Sequence, residues 1–467
     1  TKSDMKKQLI YMVCATALLS SCHIYKSYDR PEDITTEGLY RDPVAENDTL
    51  ASDTANFGNL PWREVFTDPQ LQALIDKGLK QNTNLLSAIE SVKAAKASLM
   101  AARLAYAPML ALSPQGTISS FDKNAATKAY SLPVTASWQV DLFGQILNSK
   151  RNAQVTLKQT QAYQQAVQTQ VISNIANMYY TLLMLDRQLA VTKETAEVLK
   201  KNAETMEAMK EAAMYGINST GVEQSKAAYA QVKASLSDIE QSIRETENAL
   251  STFLGEVPHT IQRSTLDAQV LPTDLSAGIP LQLLSNRPDV KAAEMALASC
   301  YYNTNSARAA FYPQITLSGS AGWTNSAGGM IFNPAKLLAS AVGSLTQPLF
   351  YRGQNIARLK AAKAQEQQAK LSFQQTLLNA GSEVSNALSL YQKTCEKVDL
   401  RRMQVESAQK ASEDTKDLFK LGTSTYLEVL SAYQAYLSAQ LSQVADRFDQ
   451  MQAVISLYQA LGGGREE

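Results

Sequence analysis

Histidine and net charge are scarce in this chain, and each shortage excludes a class of function. Only His23 and His259 occur among the 467 residues, and the sequence contains no HExxH motif, dinucleotide-binding glycine motif or P-loop. The usual constellations for zinc hydrolysis and nucleotide chemistry are therefore missing. Basic and acidic side chains number 44 each, which leaves no basic surplus for binding nucleic acid. We expect a protein that is not an enzyme and that uses no catalytic cofactor or metal.

Glycine and proline are also rare in two long stretches, residues 145–215 and 354–421, which contain no proline and only one glycine, Gly381. Ala, Gln, Ser and Leu dominate both, a composition typical of closely packed helices. At about 1.5 Å per residue, each stretch predicts a helical rod of roughly 100 Å. Apolar residues at alternating intervals of four and three predict a coiled-coil seam in each. The seam residues are Val171, Ile175, Met178, Leu182, Leu185 and Leu189 in the first stretch and Val384, Leu388, Tyr391, Cys395 and Val398 in the second.

The N-terminal apolar run, Leu9 to Leu19, is too short for a membrane-spanning helix and follows a basic start, as in a secretory signal. It leads into Ser20-Ser21-Cys22, and the whole resembles a bacterial lipobox. We expect Cys22 to be the first mature residue and to carry a covalent lipid, the alternative being an ordinary signal with a chance cysteine. Cys300 and Cys395 are expected to be small buried hydrophobic side chains, not disulfide partners.

Two segments alternate strictly between apolar and polar residues, which predicts amphipathic strands: Tyr130 to Leu142 and Gln314 to Trp323. Leu110 to Phe121 and Leu338 to Phe350 are interpreted as their partners, so we expect four strands. Four strands alone would leave unpaired backbone groups at their edges in lipid. Three copies would close twelve strands around a lumen.

Helix, strand pair, long helix and return helix occur twice in the chain. The first helix is expected from Asp68 to about Tyr106. Pro108 and Pro313, and likewise Gly216 and Gly422, recur at nearly constant offsets, which indicates a tandem duplication. We divide the chain into a signal peptide (1–21), a lipidated extended arm (22–67), a first repeat (68–257), a connector (258–285), a second repeat (286–462) and a C-terminal tail (463–467).

Four segments resemble the motifs of outer-membrane efflux proteins, the channels of tripartite drug exporters. They are Trp62 to Leu71, Ser137 to Gly144, the Arg287-Pro288-Asp289 junction, and Leu457 to Gly464. The resemblance covers essentially the whole mature chain and is to the lipidated branch. It implies a mainly α-helical protomer with a β-barrel part, assembling as a trimer with a twelve-stranded barrel on an α-helical barrel. It also implies an outer-membrane location, a periplasmic adaptor and an inner-membrane RND-type pump as partners, and passive conduction of small molecules.

The resemblance also implies where the channel closes, at the turn from the second long helix into its return helix. Matching outward from Gly422 places Leu427, Glu428 and Ser431 at a periplasmic aperture. Phe419 and Ser424 match gate-linking positions, and Gly216 and Gly422 match adaptor-facing tips. A ring of three Glu428 carboxylates would attract cations. The alternative is that Glu428 is a solvated charge on a helix surface, and many relatives have an acid where Ser431 stands.

Two alternative functions stay open. The same tube could serve as the outlet of a type I protein secretion system. A structural periplasmic lipoprotein without a pore is disfavoured by the clean alternation of the strands. Met206, Met209 and Met214 could indicate export of a soft metal, although methionines on a coiled-coil helix are more often packing residues.

Overall fold

The computed structural model describes residues 25–31, 34, 60–120, 125–212, 219–270, 287–325, 337–348 and 350–464. Cys22 and Gly216 lie outside these residues. The helices are α1 (Trp62–Val65), α2 (Pro69–Gln81), α3 (Thr83–Leu104), α4 (Gln145–Glu211), α5 (Ser219–Phe253), α6 (Pro288–Ala309), α7 (Gln354–Lys420) and α8 (Tyr426–Ala460). The strands are β1 (Met109–Leu112), β2 (Gln115–Ser119), β3 (Thr127–Val140), β4 (Gln314–Asn325) and β5 (Leu337–Thr346).

Six of the described helices form three pairs of equal length, which confirms the predicted duplication. α3 and α6 each have 22 residues, α4 and α7 each have 67, and α5 and α8 each have 35. In the described part of the chain, none of these helices is both long and apolar enough to cross a membrane.

The first helix breaks at Asn82, so the prediction of one continuous helix from Asp68 to Tyr106 is wrong. The Asn82 backbone is extended, and its side-chain oxygen accepts hydrogen bonds from the N–H groups of Asn84 and Leu85 at 3.0 and 3.1 Å. Its side-chain nitrogen donates to the Phe253 carbonyl at 2.8 Å. Asn82 therefore ends α2 and caps α3, a role that asparagine fills well.

The described strands form one antiparallel sheet with β3 and β4 at its centre. β3 pairs with β4 and β4 with β5, while β1 and β2 both pair with β3. β1 and β2 share a single register along β3, and they separate only at Ser113 and Pro114. Pro114 has no N–H to donate, so the ladder is interrupted there. The four predicted strands are thus present as four positions in the sheet, with the first split in two.

The register places the alternating residues of all strands on matching faces of the sheet, because successive side chains of a strand point to opposite sides. One face is apolar. Its cross-strand pairs include Leu112 with Val134, Trp138 with Leu317, Val134 with Ala321, and Ile315 with Leu345. The opposite face is polar. Its pairs include Thr135 with Ser320, Ser137 with Ser318, and Gln139 with Thr316. The sheet is therefore amphipathic, as predicted, although Met109 and Val342 lie on the polar face and Lys128 lies on the apolar face.

The chain forms two compact units, and the sheet belongs to the unit of residues 1–35, 90–162 and 291–376. The other unit, residues 36–89, 163–290 and 377–467, contains the main hydrophobic core. Most of the predicted seam of α4 lies in that core: Val171, Ile175 and Leu182 are buried in it, and Met178 packs against it. Leu185 is also buried, and Leu189 is half-buried.

The seam of α7 follows the prediction through Val384, Leu388 and Tyr391 and departs from it after Tyr391. Val384, Ala387 and Thr394 are buried, whereas Cys395 and Val398 are exposed. The buried stripe passes through the polar Thr394, one position before Cys395, which is about 100° away around the helix. The prediction that Cys395 is buried is therefore wrong, and Cys300 is only half-buried.

A buried carboxylate, Asp68, joins three parts of the core. It accepts hydrogen bonds from the Gln70 N–H at 2.9 Å, the Tyr179 hydroxyl at 2.6 Å, the Gln269 side chain at 2.8 Å, and the Ser264 hydroxyl. Burial by itself would raise the pKa of Asp68, but these hydrogen bonds lower it below its ordinary value of 3.8. Burial, and then the bond to Asp68, raise the pKa of Tyr179 to about 12. Asp68 thus caps α2 while it holds α4 and the segment after α5.

Replacing Asp68 with Asn should destabilise the protein at neutral pH by about 1–3 kcal/mol, because an amide cannot accept from all these donors. Since the pKa of Asp68 is lowered on folding, its contribution is present above the unfolded-state pKa and is lost as the pH falls through the folded-state pKa. Thermal unfolding of wild type and Asp68→Asn should therefore converge in acid. Asp76→Asn is the matched control on α2, where the half-exposed ion pair with Arg63 should contribute less than about 1 kcal/mol. Equal losses in the two variants would contradict this role for Asp68.

Candidate functional site

The turn from α7 into α8 is built by Gly422. The N–H of Gly422 donates to the Phe419 carbonyl at 3.0 Å, and the N–H of Thr423 donates to the Leu418 carbonyl, also at 3.0 Å. This pair of bonds satisfies the last carbonyls of α7 and requires a left-handed residue after the helix. Gly422 has φ of 73°, a conformation that strains residues with a Cβ. The prediction that Gly422 ends the second long helix is confirmed.

Thr425 and Glu428 begin α8 by capping each other. The Thr425 side-chain oxygen accepts from the Glu428 N–H at 3.4 Å, and the Glu428 carboxylate accepts from the Thr425 N–H at 2.8 Å. The Ser424 hydroxyl donates to the same carboxylate oxygen, Oε2, at 2.6 Å. Glu428 is therefore more than a solvated surface charge, because it closes a capping box and also binds the turn.

The Glu428 carboxylate carries its charge over a wide pH range. Hydrogen bonds from Ser424 and then from the backbone and side chain of Thr425 lower the pKa of Glu428 below its ordinary value, although the group is exposed. A carboxylate near the N-terminus of a helix is also favoured by the helix dipole. The turn thus presents a fixed negative charge at neutral pH.

The first turn of α8 has one exposed face and one buried face. Leu427, Glu428 and Ser431 are exposed, as expected for residues that would line an opening. Tyr426 and Leu430 point the other way and are buried. The structure thus brings the three aperture candidates onto one face, and their assignment to an aperture remains a prediction.

The buried face of α8 packs into a small apolar cluster, which we call the tip cluster. Its buried members are Leu199, Met206, Val222, Ala228, Tyr426 and Leu430. Phe419 packs edge-on against Tyr426, with ring centroids 6.0 Å apart. The predicted gate-linking Phe419 therefore joins the end of α7 to the start of α8. Met206 is a packing residue, as the sequence favoured, and Met214 lies outside the described residues.

Thr425 was not among the predicted site residues. Its signal was available, because Thr425-Tyr-Leu-Glu428 has the spacing of a capping box before an apolar helix. The long-range partners of Arg287 had no such signal. The buried Arg287 guanidinium pairs with Asp289 at 2.7 Å and Glu383 at 2.6 Å, and donates to the Ala460 carbonyl at 2.8 Å. The Arg-Pro-Asp junction therefore links the start of α6 to α7 and to the end of α8.

Comparison with known proteins matches residues 74–256 and 279–463 to the family model "Outer membrane efflux protein". The cation efflux system protein CusC of Escherichia coli is 27% identical over 457 residues, covering 97% of this chain and 98% of CusC. The probable outer membrane lipoprotein SilC of Salmonella typhimurium is 26% identical over 410 residues, covering 86% of this chain and 88% of SilC. The solved structure of the outer-membrane channel OprN superposes with a TM-score of 0.84 at 25% identity, covering 95% of this chain and 99% of OprN.

The family match falls once on each half of the duplication and covers well over half of the chain. The similarity to OprN extends over both the long helices and the sheet. A catalytic role does not fit a family of channels. The chain therefore belongs to the outer membrane efflux protein family, and it is an outer-membrane efflux channel.

Proposed function

We propose that three copies of this chain form one tube that conducts small molecules passively out of the cell. An inner-membrane RND-type pump would supply the energy, and a periplasmic adaptor would join that pump to the tube. The observation that carries the proposal is the apolar face that continues in register across β1, β3, β4 and β5. Such a face can meet lipid only if the sheet edges at β1 and β5 are closed by other copies.

The opposite face of the sheet supports a water-filled interior. Ser and Thr side chains dominate it, and the Ser320 and Ser340 hydroxyls bond across β4 and β5 at 2.8 Å. A wide lumen with such a lining discriminates little between solutes, so we assign the choice of cargo to the pump. The relative CusC is named for cation efflux, and nothing in this lumen face restricts the proposal to cations.

We further propose that the α7–α8 turns of the three copies surround the periplasmic aperture. Leu427, Glu428 and Ser431 would line it, because they share the exposed face at the start of α8. Three Glu428 carboxylates would repel anions and attract cations. Gly216 and Gly422 would mark the tips that meet the adaptor.

A lipid on Cys22 would hold each copy in the outer membrane. Only three residue steps separate Cys22 from Tyr25, so the point of lipid attachment would lie within about 11 Å of Tyr25. The segment after it is firmly attached: Arg151 donates to the carbonyls of Tyr25 and Lys26 at 3.2 and 3.3 Å. Arg30 makes two hydrogen bonds to Glu294, at 2.8 and 2.6 Å. The relative SilC is named as an outer membrane lipoprotein, which also supports this anchor.

The proposed membrane face can be tested with two neighbouring residues of β4. Ala321 lies on the apolar face opposite Val134 and Ala339, whereas Ser320 lies on the polar face opposite Ser340. Ala321→Arg should cost about 2–4 kcal/mol if it meets the bilayer interior, and the amount of membrane-inserted trimer should fall sharply. Ser320→Arg, the matched control, should still give inserted trimer. The measurement is trimer yield in outer-membrane extracts by size-exclusion chromatography. A similar yield for both variants would contradict the assigned faces.

The lipid anchor can be tested by intact mass of the chain purified from outer membranes. We expect the wild-type mass to equal residues 22–467 plus a glyceride and an acyl group. In Cys22→Ser this added mass should be absent. Cys300→Ser is the matched control and should keep the lipid. A wild-type chain without added mass would exclude the anchor while leaving the channel itself untouched.

A further inference from the structure

We propose that the hydrogen bonds of the Thr425–Glu428 capping box hold the aperture closed, whereas the charge of Glu428 sets only its preference for cations. The inference rests on the proposed function, since it assigns two separable roles within the proposed aperture. Thr425 and Glu428 act here as positioning residues for Leu427 and Ser431.

The Glu428 carboxylate is bound to the turn that precedes α8 in its own chain. Oε2 of Glu428 accepts from the Ser424 hydroxyl at 2.6 Å and from the Thr425 N–H at 2.8 Å. Both donors belong to the turn before α8, so the carboxylate is tied to its own protomer. It is therefore poorly placed to act as a free charge whose repulsion or attraction alone would move the helix.

The capping box sets the position of the residues that follow it in α8. Thr425 accepts from the Glu428 N–H, and this bond begins α8 one residue before Tyr426. Tyr426 is buried in the tip cluster and packs on Phe419 of α7. Leu427 follows directly and is 58% exposed. The cap and the cluster together therefore set the direction in which Leu427 and Ser431 project.

Loss of the capping box would free the first turn of α8. The first N–H groups of a helix have no partner within the helix, and without a cap the first turn frays. The tip cluster still holds Tyr426, but Leu427 and Ser431 are on the exposed side and lose their fixed placement. A lost N-cap typically shifts such a local equilibrium about fivefold, so we expect a fivefold rise in the fraction of time that the aperture is open.

Bonds and charge can be separated because glutamine caps as glutamate does. Glu428→Gln keeps an oxygen that accepts from Ser424 and Thr425, but it is neutral. Thr425→Val keeps the charge of Glu428 and the β-branched shape of Thr425, but it cannot accept a hydrogen bond. Glu428→Ala loses both properties, and Thr425→Ser keeps both.

The experiment is planar-bilayer recording of the full-length trimers, with open probability and reversal potential in a salt gradient as the two readouts. Thr425→Val and Glu428→Ala should raise open probability about fivefold, and Glu428→Gln and Thr425→Ser should match wild type. Cation preference should fall in both Glu428 variants and persist in both Thr425 variants. If Glu428→Gln opens as readily as Glu428→Ala, or if Thr425→Val opens no more than wild type, the proposal is overturned.

Hydrogen–deuterium exchange over residues 425–431 of the same trimers gives a readout that does not depend on conduction. Exchange should speed up in Thr425→Val and Glu428→Ala and stay unchanged in Glu428→Gln and Thr425→Ser. Faster exchange in Glu428→Gln would overturn the capping role. Failure of the proposed conduit would look different. Neither the wild-type trimer nor any variant trimer, Glu428→Ala included, would then conduct, whatever the exchange pattern.

Discussion

Backbone groups at the edge of a β-sheet have no hydrogen-bond partner in hydrocarbon, and the organisation of this chain follows from that constraint. Its described strands supply a sheet with an apolar face and a polar face, but with edges at β1 and β5 that a single chain leaves open. Closure by identical copies removes those edges. In the proposed tube it also turns the polar face inward, and a protein that only spans the periplasm would gain nothing from such a sheet.

The tandem duplication explains how one short sheet is joined to such long helices. Each half delivers its strands and then a helix of 67 residues, so α4 and α7 match in length. The first half with its connector, and the second half, are each held together by a buried polar residue. Asp68 and Arg287 bind elements that are far apart in the sequence. Replacing either residue would therefore leave charges or hydrogen-bond donors unpaired inside the core.

Much of this organisation could be predicted from the sequence, because hydrophobic period reports the buried face of an element. Alternation along residues 130–142 and 314–323 predicted β3, β4 and their two faces, and the absence of Gly and Pro predicted the long helices. The predictions were wrong where a polar residue occupies a position at which the hydrophobic periodicity predicts an apolar one. Thr394 lies in the α7 seam in place of Cys395, and Asn82 ends one helix and caps the next through its own side chain.

The candidate site was only partly accessible from the sequence. Resemblance placed Glu428 beside an opening, but its bonds to Ser424 and Thr425 depend on the conformation of the turn after Gly422. Local spacing could have indicated the capping box. The tip cluster, which brings Leu199 and Val222 against Tyr426, depends on contacts between both halves of the chain, and no local pattern reports them.

The central claim is that copies of this chain enclose a water-filled path. Planar-bilayer recording of the purified wild-type protein, from a preparation whose native mass equals three chains, tests it most directly. We expect discrete openings with a preference for cations over anions. A preparation of that native mass that carries no current at any reconstitution density, in the wild type and in Glu428→Ala alike, would contradict the account.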